Sequence, residues 1–146
     1  MLSQKAKYAL KALLMLAERP AGEPLLIADI AERQNLPRKF LELILLDLKH
    51  QGILYSKRGR NGGYALARAP AEISFGEVVR IVDGPLASVL CVSRTAYRRC
   101  DDCRDEATCA VRRVFGRVRD ATAAILDDHT LADAVRRGPK RPARAR

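Results

Sequence analysis

"IADIAERQNLPRKFLELILLDLKHQGILYSKRGRNGGYALA", residues 27–67, passes from a helical hydrophobic period to short strand-like runs around a glycine cluster. Ile27, Ile30 and Ala31 face one way on a short helix from about Ile27 to Gln34, and Asn35 ends it. Leu36-Pro37 opens a second helix with proline at a first-turn position, where its missing N–H does no harm. That helix runs to about Gln51, buries Leu41, Ile44, Leu45 and Leu48, and stops at Gly52. Ile53–Ser56 and Tyr64–Ala67 then read as strands joined by a basic, glycine-rich turn centred on Asn61-Gly62.

Working outward, residues 3–19 form a preceding helix: Ala6, Ala9, Leu10, Leu13, Leu14 and Ala17 recur at helical spacing, Lys5, Lys7 and Lys11 lie outside the stripe, and Ser3 can cap the start. On the other side, Ser74 and Glu77 make a capping box for a helix through Val78, Val79, Ile81 and Val82, which Gly84-Pro85 stops. The last long helix is expected from about Glu106 to Asp127. Its Ala107, Val111, Val114, Val118, Ala121 and Ile125 alternate steps of four and three, a heptad seam suited to a second helix. The partner is either a second copy of the chain or the monomer's own core. Thr130 and Asp133 can cap one further turn.

The expected class is mostly α with a small β-hairpin wing: a winged helix-turn-helix followed by a long C-terminal dimerisation helix. The expected divisions are a DNA-binding domain over 1–84, a cysteine-containing sensor loop over 85–105, the dimerisation helix over 106–128, and a short turn with a basic, disordered tail over 129–146. No internal repeat is visible.

Helix, short helix, turn, helix and basic hairpin is an order with a physical use. A major groove admits one helix, whose N-terminal residues reach base edges, while the hairpin lays cations on the backbone or in the minor groove. Arg38, Lys39 and Glu42 lie off the buried stripe of the third helix. A carboxylate facing phosphates is unfavourable unless it accepts from a cytosine amino group, so Glu42 is either a base reader or an ion-pair partner of Arg38 one turn away. The wing supplies Lys57, Arg58 and Arg60, and Lys5 on the first helix joins this DNA-binding set. The net charge of +10 agrees with an anionic partner. Arg136, Arg137, Lys140, Arg141, Arg144 and Arg146 carry part of that excess in a tail that a solvated end would also explain.

No apolar run reaches membrane-spanning length, and the N-terminus lacks the pattern of a signal peptide, so a cytoplasmic location without membrane partners is expected. Two isolated histidines and no nucleophile–base motif speak against an enzyme, although an electron-transfer role is a lesser alternative.

The stretches LSQKAKYALKALLMLA, the segment quoted above, and CDDCRDEATCAVRRVF with LDDHTLADAV resemble the Rrf family of bacterial winged-helix transcription regulators (the IscR, NsrR, RirA and CymR type). The S-x-RG-x-x-GGY-x-LA wing is the most specific piece, and the likeness spans roughly residues 1–135. It implies a homodimeric repressor on double-stranded operator DNA, joined through the long helix (Val111, Val114, Val118, Ala121, Ile125). It also implies that Glu42, Arg58 and Arg60 occupy DNA-reading positions.

All four cysteines fall at Cys91, Cys100, Cys103 and Cys109, spaced C-x8-C-x2-C-x5-C. Thiolates are soft ligands, and four of them complete a tetrahedral zinc site or an iron–sulfur cluster, though the spacing matches neither a zinc ribbon nor a ferredoxin run. In the resembled family, cluster-binding members place three cysteines before the dimer helix, the last two five residues apart, as Cys103 and Cys109 are. Cys91 falls where the first is expected. Their fourth ligand is a histidine shortly after the last cysteine, or an acidic residue or histidine on the partner's first helix. Here Arg112, Lys7 and Lys11 stand at those positions, and His50 and His129 lie elsewhere. Cys100 is extra, which points to an all-cysteine iron–sulfur site of open nuclearity sensing iron, redox or nitric oxide status. Zinc and a metal-free thiol switch are the alternatives. Arg98 and Arg99 beside Cys100 are expected to favour its thiolate.

Overall fold

The computed structural model describes residues 2–136. The basic-tail expectation for residues 137–146 lies outside them. Ser3 accepts a hydrogen bond from the Ala6 N–H at 3.0 Å and so caps α1 (Gln4–Ala17). This helix is the hub of the body, in contact with α2 (Ile27–Gln34), α3 (Arg38–His50), α4 (Phe75–Asp83), the strand β2 (Gly63–Leu66) and α6 (Leu131–Arg136). Neighbours on several sides explain why Ala12, Met15 and Leu16 are buried along with the expected Ala6, Ala9, Leu10 and Leu13, while Leu14 and Ala17 are only half-buried.

The turn between α2 and α3 is built on Asn35, which adopts φ 52. There the Asn35 N–H reaches the Glu32 carbonyl and the Leu36 N–H reaches that of Ala31 at 2.8 Å, satisfying carbonyls the helix would otherwise leave open. Pro37 stands at the cap just before α3 rather than inside its first turn, because its backbone is still extended (φ −62, ψ 119). Leu41, Ile44, Leu45 and Leu48 are buried as expected. Gly52 at φ 76 lets the Ile53 N–H bond back to the Leu48 carbonyl at 3.0 Å, which ends the helix and turns the chain into the wing.

The wing is an antiparallel pair, β1 (Leu54–Lys57) and β2, in register from Leu54↔Leu66 to Lys57↔Gly63. Ile53 stands just before β1 and is fully buried. Leu25 and Tyr64 exchange both backbone hydrogen bonds (2.9 and 2.8 Å), so the hairpin is fastened to the segment before α2. Gly63, at φ 126, makes that approach possible, since a Cβ there would collide with the Leu25 carbonyl.

Ser74 caps α4 through the Glu77 N–H at 3.1 Å. A 3-10 turn at Leu90–Val92 and an irregular segment follow, and then α5 (Ala110–Asp128). This helix begins four residues later than the expected Glu106. Asp105 accepts from the Ala107 N–H and the Thr108 hydroxyl, both at 3.0 Å, making a separate turn, and Cys109 becomes the cap. Ala107 therefore leaves the heptad seam. After α5 the chain returns to the body: Thr130 and Asp133 cap each other, and Leu131 of α6 is fully buried.

Candidate functional site

The start of α3 and the wing, which packs against α3, both carry exposed charged side chains. Arg38, Lys39 and Glu42 are all exposed on α3. Arg38 Nε lies 3.3 Å from Glu42 Oε1, so the ion pair foreseen as one alternative exists in the free protein. Both partners are largely solvated, and such a pair contributes at most about 1 kcal/mol and yields readily to another partner. Lys39, Lys57, Arg58 and Arg60 make no ion pair or side-chain hydrogen bond among the described residues. Lys5 is different: its ammonium is 2.7 Å from Asp47, tying α1 to α3. Leu43 is 61% exposed beside Glu42, with Leu46 one turn along. Sequence reasoning passed over both, although their positions off the buried stripe were the available signal.

The second feature is a pocket of about 380 Å3 lined by all four cysteines, together with Arg112, Asp102 and Asp105 among others. Cys91 is buried on the 3-10 turn, and Cys109 caps α5, its sulfur accepting from the Arg112 N–H at 3.4 Å. Cys100 and Cys103 are held one turn apart by the Cys103 N–H on the Cys100 carbonyl at 3.2 Å. Arg99 donates to the carbonyls of Cys103 and Arg104, and Arg98 faces Asp101 at 3.9 Å. The Cys100 thiol is nevertheless pushed above its ordinary value rather than below it. A hydrogen bond with Cys91 is the chief cause, then desolvation and the neighbouring Cys91, Asp102 and Cys109. The expectation that Arg98 and Arg99 favour a Cys100 thiolate is thus corrected.

The cysteines are all free. As a donor set they fit a thiolate-ligated metal or cluster in number, softness and shared location. Among the described residues, however, no three histidine, cysteine or carboxylate side chains are gathered closely enough to hold a metal ion in this conformation. His50 ends α3, and His129 Nδ1 lies 2.7 Å from the Ile125 carbonyl, so neither histidine reaches the pocket. Lys7 is exposed and Lys11 donates to the Gln34 carbonyl at 3.2 Å.

The pocket is coupled mechanically to α5. Arg119 donates to the Val92 carbonyl, beside Cys91, and Asp120 bonds both Arg119 and Arg94. Those bonds hold the Asp120 carboxyl below the usual carboxylate range, the Arg119 hydrogen bond foremost. Farther along, Arg80 of α4 makes a two-pronged ion pair with Asp127 at 2.6 and 2.9 Å. No residue of α5 is buried, and Val111, Val114, Val118, Ala121 and Ile125 are all exposed. An intramolecular core for this seam, one of the two alternatives read from sequence, is therefore excluded. No described helix is long and apolar enough to cross a membrane.

A family model described as Rrf2, iron-dependent transcriptional regulator, matches residues 2–137. An rrf2-like helix-turn-helix-type transcriptional regulator of Rhodobacter capsulatus is 49% identical over 141 residues, covering 94% of each chain. The solved structure of CymR, the global cysteine regulator of B. subtilis, superposes with a TM-score of 0.78 at 30% identity, covering 94% of this chain and 98% of that one. IscR of T. potens superposes at 0.72 with 29% identity over 91% and 84% of the two chains. With its winged helix-turn-helix architecture and these matches, the chain belongs to the Rrf2 family of transcriptional regulators.

Proposed function

We propose that this regulator is a cytoplasmic homodimeric repressor whose affinity for operator DNA is controlled by an iron–sulfur cluster held by Cys91, Cys100, Cys103 and Cys109. The observation that carries the reading is that Cys91, Cys100, Cys103 and Cys109 all line one pocket at the root of α5, although they are not closed into a ligand set in this conformation. When bound, a cluster supplies a group whose assembly, oxidation or nitrosylation depends on iron, redox or nitric oxide status. The chain's own part is to transmit the state of the pocket. Cys109 caps α5 and Val92, next to Cys91, is tied to α5 by Arg119, so the arrangement of the thiols bears directly on that helix.

In this reading the exposed apolar row of α5 packs against its copy in a second protomer, and α5 sets the separation of two winged bodies. Each body offers Arg38, Lys39 and Glu42 to the major groove, and Lys57, Arg58 and Arg60 to the backbone and minor groove. Glu42 exchanges its contact with Arg38 for a cytosine amino group. Lys5 adds to the positive field while bridging to Asp47.

Anaerobic purification tests the cofactor. A brown protein with iron and acid-labile sulfide, both lost in Cys103→Ala, is the expected result; a colourless zinc protein would replace the cluster by the zinc alternative. A metal-free thiol switch is a second reading. Its support is that all four cysteines are free thiols and that Cys91 and Cys100 line the same pocket.

A further inference from the structure

Arg112 has one polar atom that the free chain leaves without use. Its Nε is buried and makes no hydrogen bond. A guanidinium stays protonated in proteins and carries only donors, so a buried N–H of this kind lacks an acceptor rather than a proton. Buried donors without partners are uncommon, and an absent ligand is one recognised reason for them. Arg112 lines the same pocket as the four cysteines. Its backbone N–H already donates to Cys109 Sγ at 3.4 Å, which places the residue beside a pocket sulfur. The carboxylates nearby do not satisfy it. Asp105 is engaged by Ala107 and Thr108, Glu106 accepts from the Tyr97 hydroxyl, and the first turn of α5 holds no acidic residue.

We propose that Arg112 donates a hydrogen bond, through its buried Nε–H, to thiolate sulfur of the metal-loaded pocket. This inference rests on the reading that the pocket holds a thiolate-ligated metal or cluster. Four thiolates around zinc or iron leave the site anionic, and a fixed cation with a directed N–H offsets that charge where the α5 N-terminus also favours it. Arg112 is then a positioning residue rather than a ligand. It orients and holds thiolates as outer-sphere donors do at other metal sites.

The test uses the full chain, purified anaerobically as wild type, Arg112→Gln and Arg112→Lys, with two readouts. The first is the rate at which a chelator removes the bound metal, which applies equally to iron and zinc. The second is the thermal midpoint of each chain after metal removal. Arg112→Gln should lose metal about tenfold faster or more. Arg112→Lys, which keeps the charge but not the planar donor, should fall between. The metal-free Arg112→Gln chain should melt no lower than metal-free wild type, because the lost Nε had no partner there. Equal release rates in loaded wild type and Arg112→Gln would overturn the role of Arg112 alone. So would a metal-free Arg112→Gln chain destabilised as much as the loaded one, which marks a purely structural residue. A wild type holding neither iron with sulfide nor zinc would overturn the reading of the pocket, and this inference with it.

Discussion

Gly63 shows how a single backbone position secures the wing. At φ 126, with the Leu25 carbonyl where a Cβ would stand, it allows β2 to bond the segment before α2. Gly63→Ala should therefore break the Leu25–Tyr64 bridge and destabilise the chain by about 1–3 kcal/mol, measured by urea unfolding. Glu42 and the wing cations should separate by the kind of information they carry. On the proposed reading, Glu42→Ala relaxes discrimination at one base pair by about 1–3 kcal/mol in a panel of single-base operator variants. Arg58→Ala should instead weaken binding to all of them alike and reduce the salt slope by about one. A Glu42→Ala profile identical to wild type at every position would leave Glu42 as no more than the ion-pair partner of Arg38.

Between elements, the junction of α4 and α5 depends on contacts far apart in sequence. Gly76 lies directly under the Arg80–Asp127 pair, and a methyl group there would strike the Asp127 carboxylate. Gly76→Ala and Asp127→Asn should each loosen α5, and their effects on unfolding free energy should fall short of additive because both remove one contact. The Arg80 hydrogen bond holds the Asp127 carboxyl below the usual carboxylate range. A carboxyl lowered on folding stabilises the chain above its unfolded pKa of about 3.9, and that stability is lost as pH falls through the folded value. Wild type should accordingly lose its advantage over Asp127→Asn below about pH 4, in a pH series of thermal midpoints. Local signals made much of the fold legible. The period of α3, Asn35, Gly52 and the Ser74 cap are written within a few residues of what they control, although the Glu77 carboxylate pairs with Arg68 instead of closing the expected capping box. The start of α5 was misread because Asp105 makes its own turn and a cysteine serves as the cap, neither of which hydrophobic periodicity records. Arg119 on Val92 and Arg80 on Asp127 are tertiary, and nothing local announces them.

At the scale of the whole molecule, a winged body and a projecting helix leave two surfaces to be used. Val111 and Ile125, 56% and 62% exposed, bracket the apolar row of α5. Val114→Glu and Ile125→Glu together should give a monomer in sedimentation velocity while helix content is retained, because neither side chain is buried in the single chain. The cysteines were legible as a group and Cys100 as the added member; all four line one pocket, but among the described residues they are not drawn together as a metal-ligating set. The unpaired Arg112 Nε depends on how an irregular segment folds back, which spacing does not encode. The central claim is that the state of this pocket sets DNA affinity. It is tested most directly by measuring operator binding, by fluorescence anisotropy under anaerobic conditions, for the loaded protein, the metal-free protein and Cys103→Ala. The metal-free protein and Cys103→Ala should bind alike and differ from the loaded protein by tenfold or more, roughly the coupling of 1–3 kcal/mol typical of linked sites. Equal affinities in all three would contradict it.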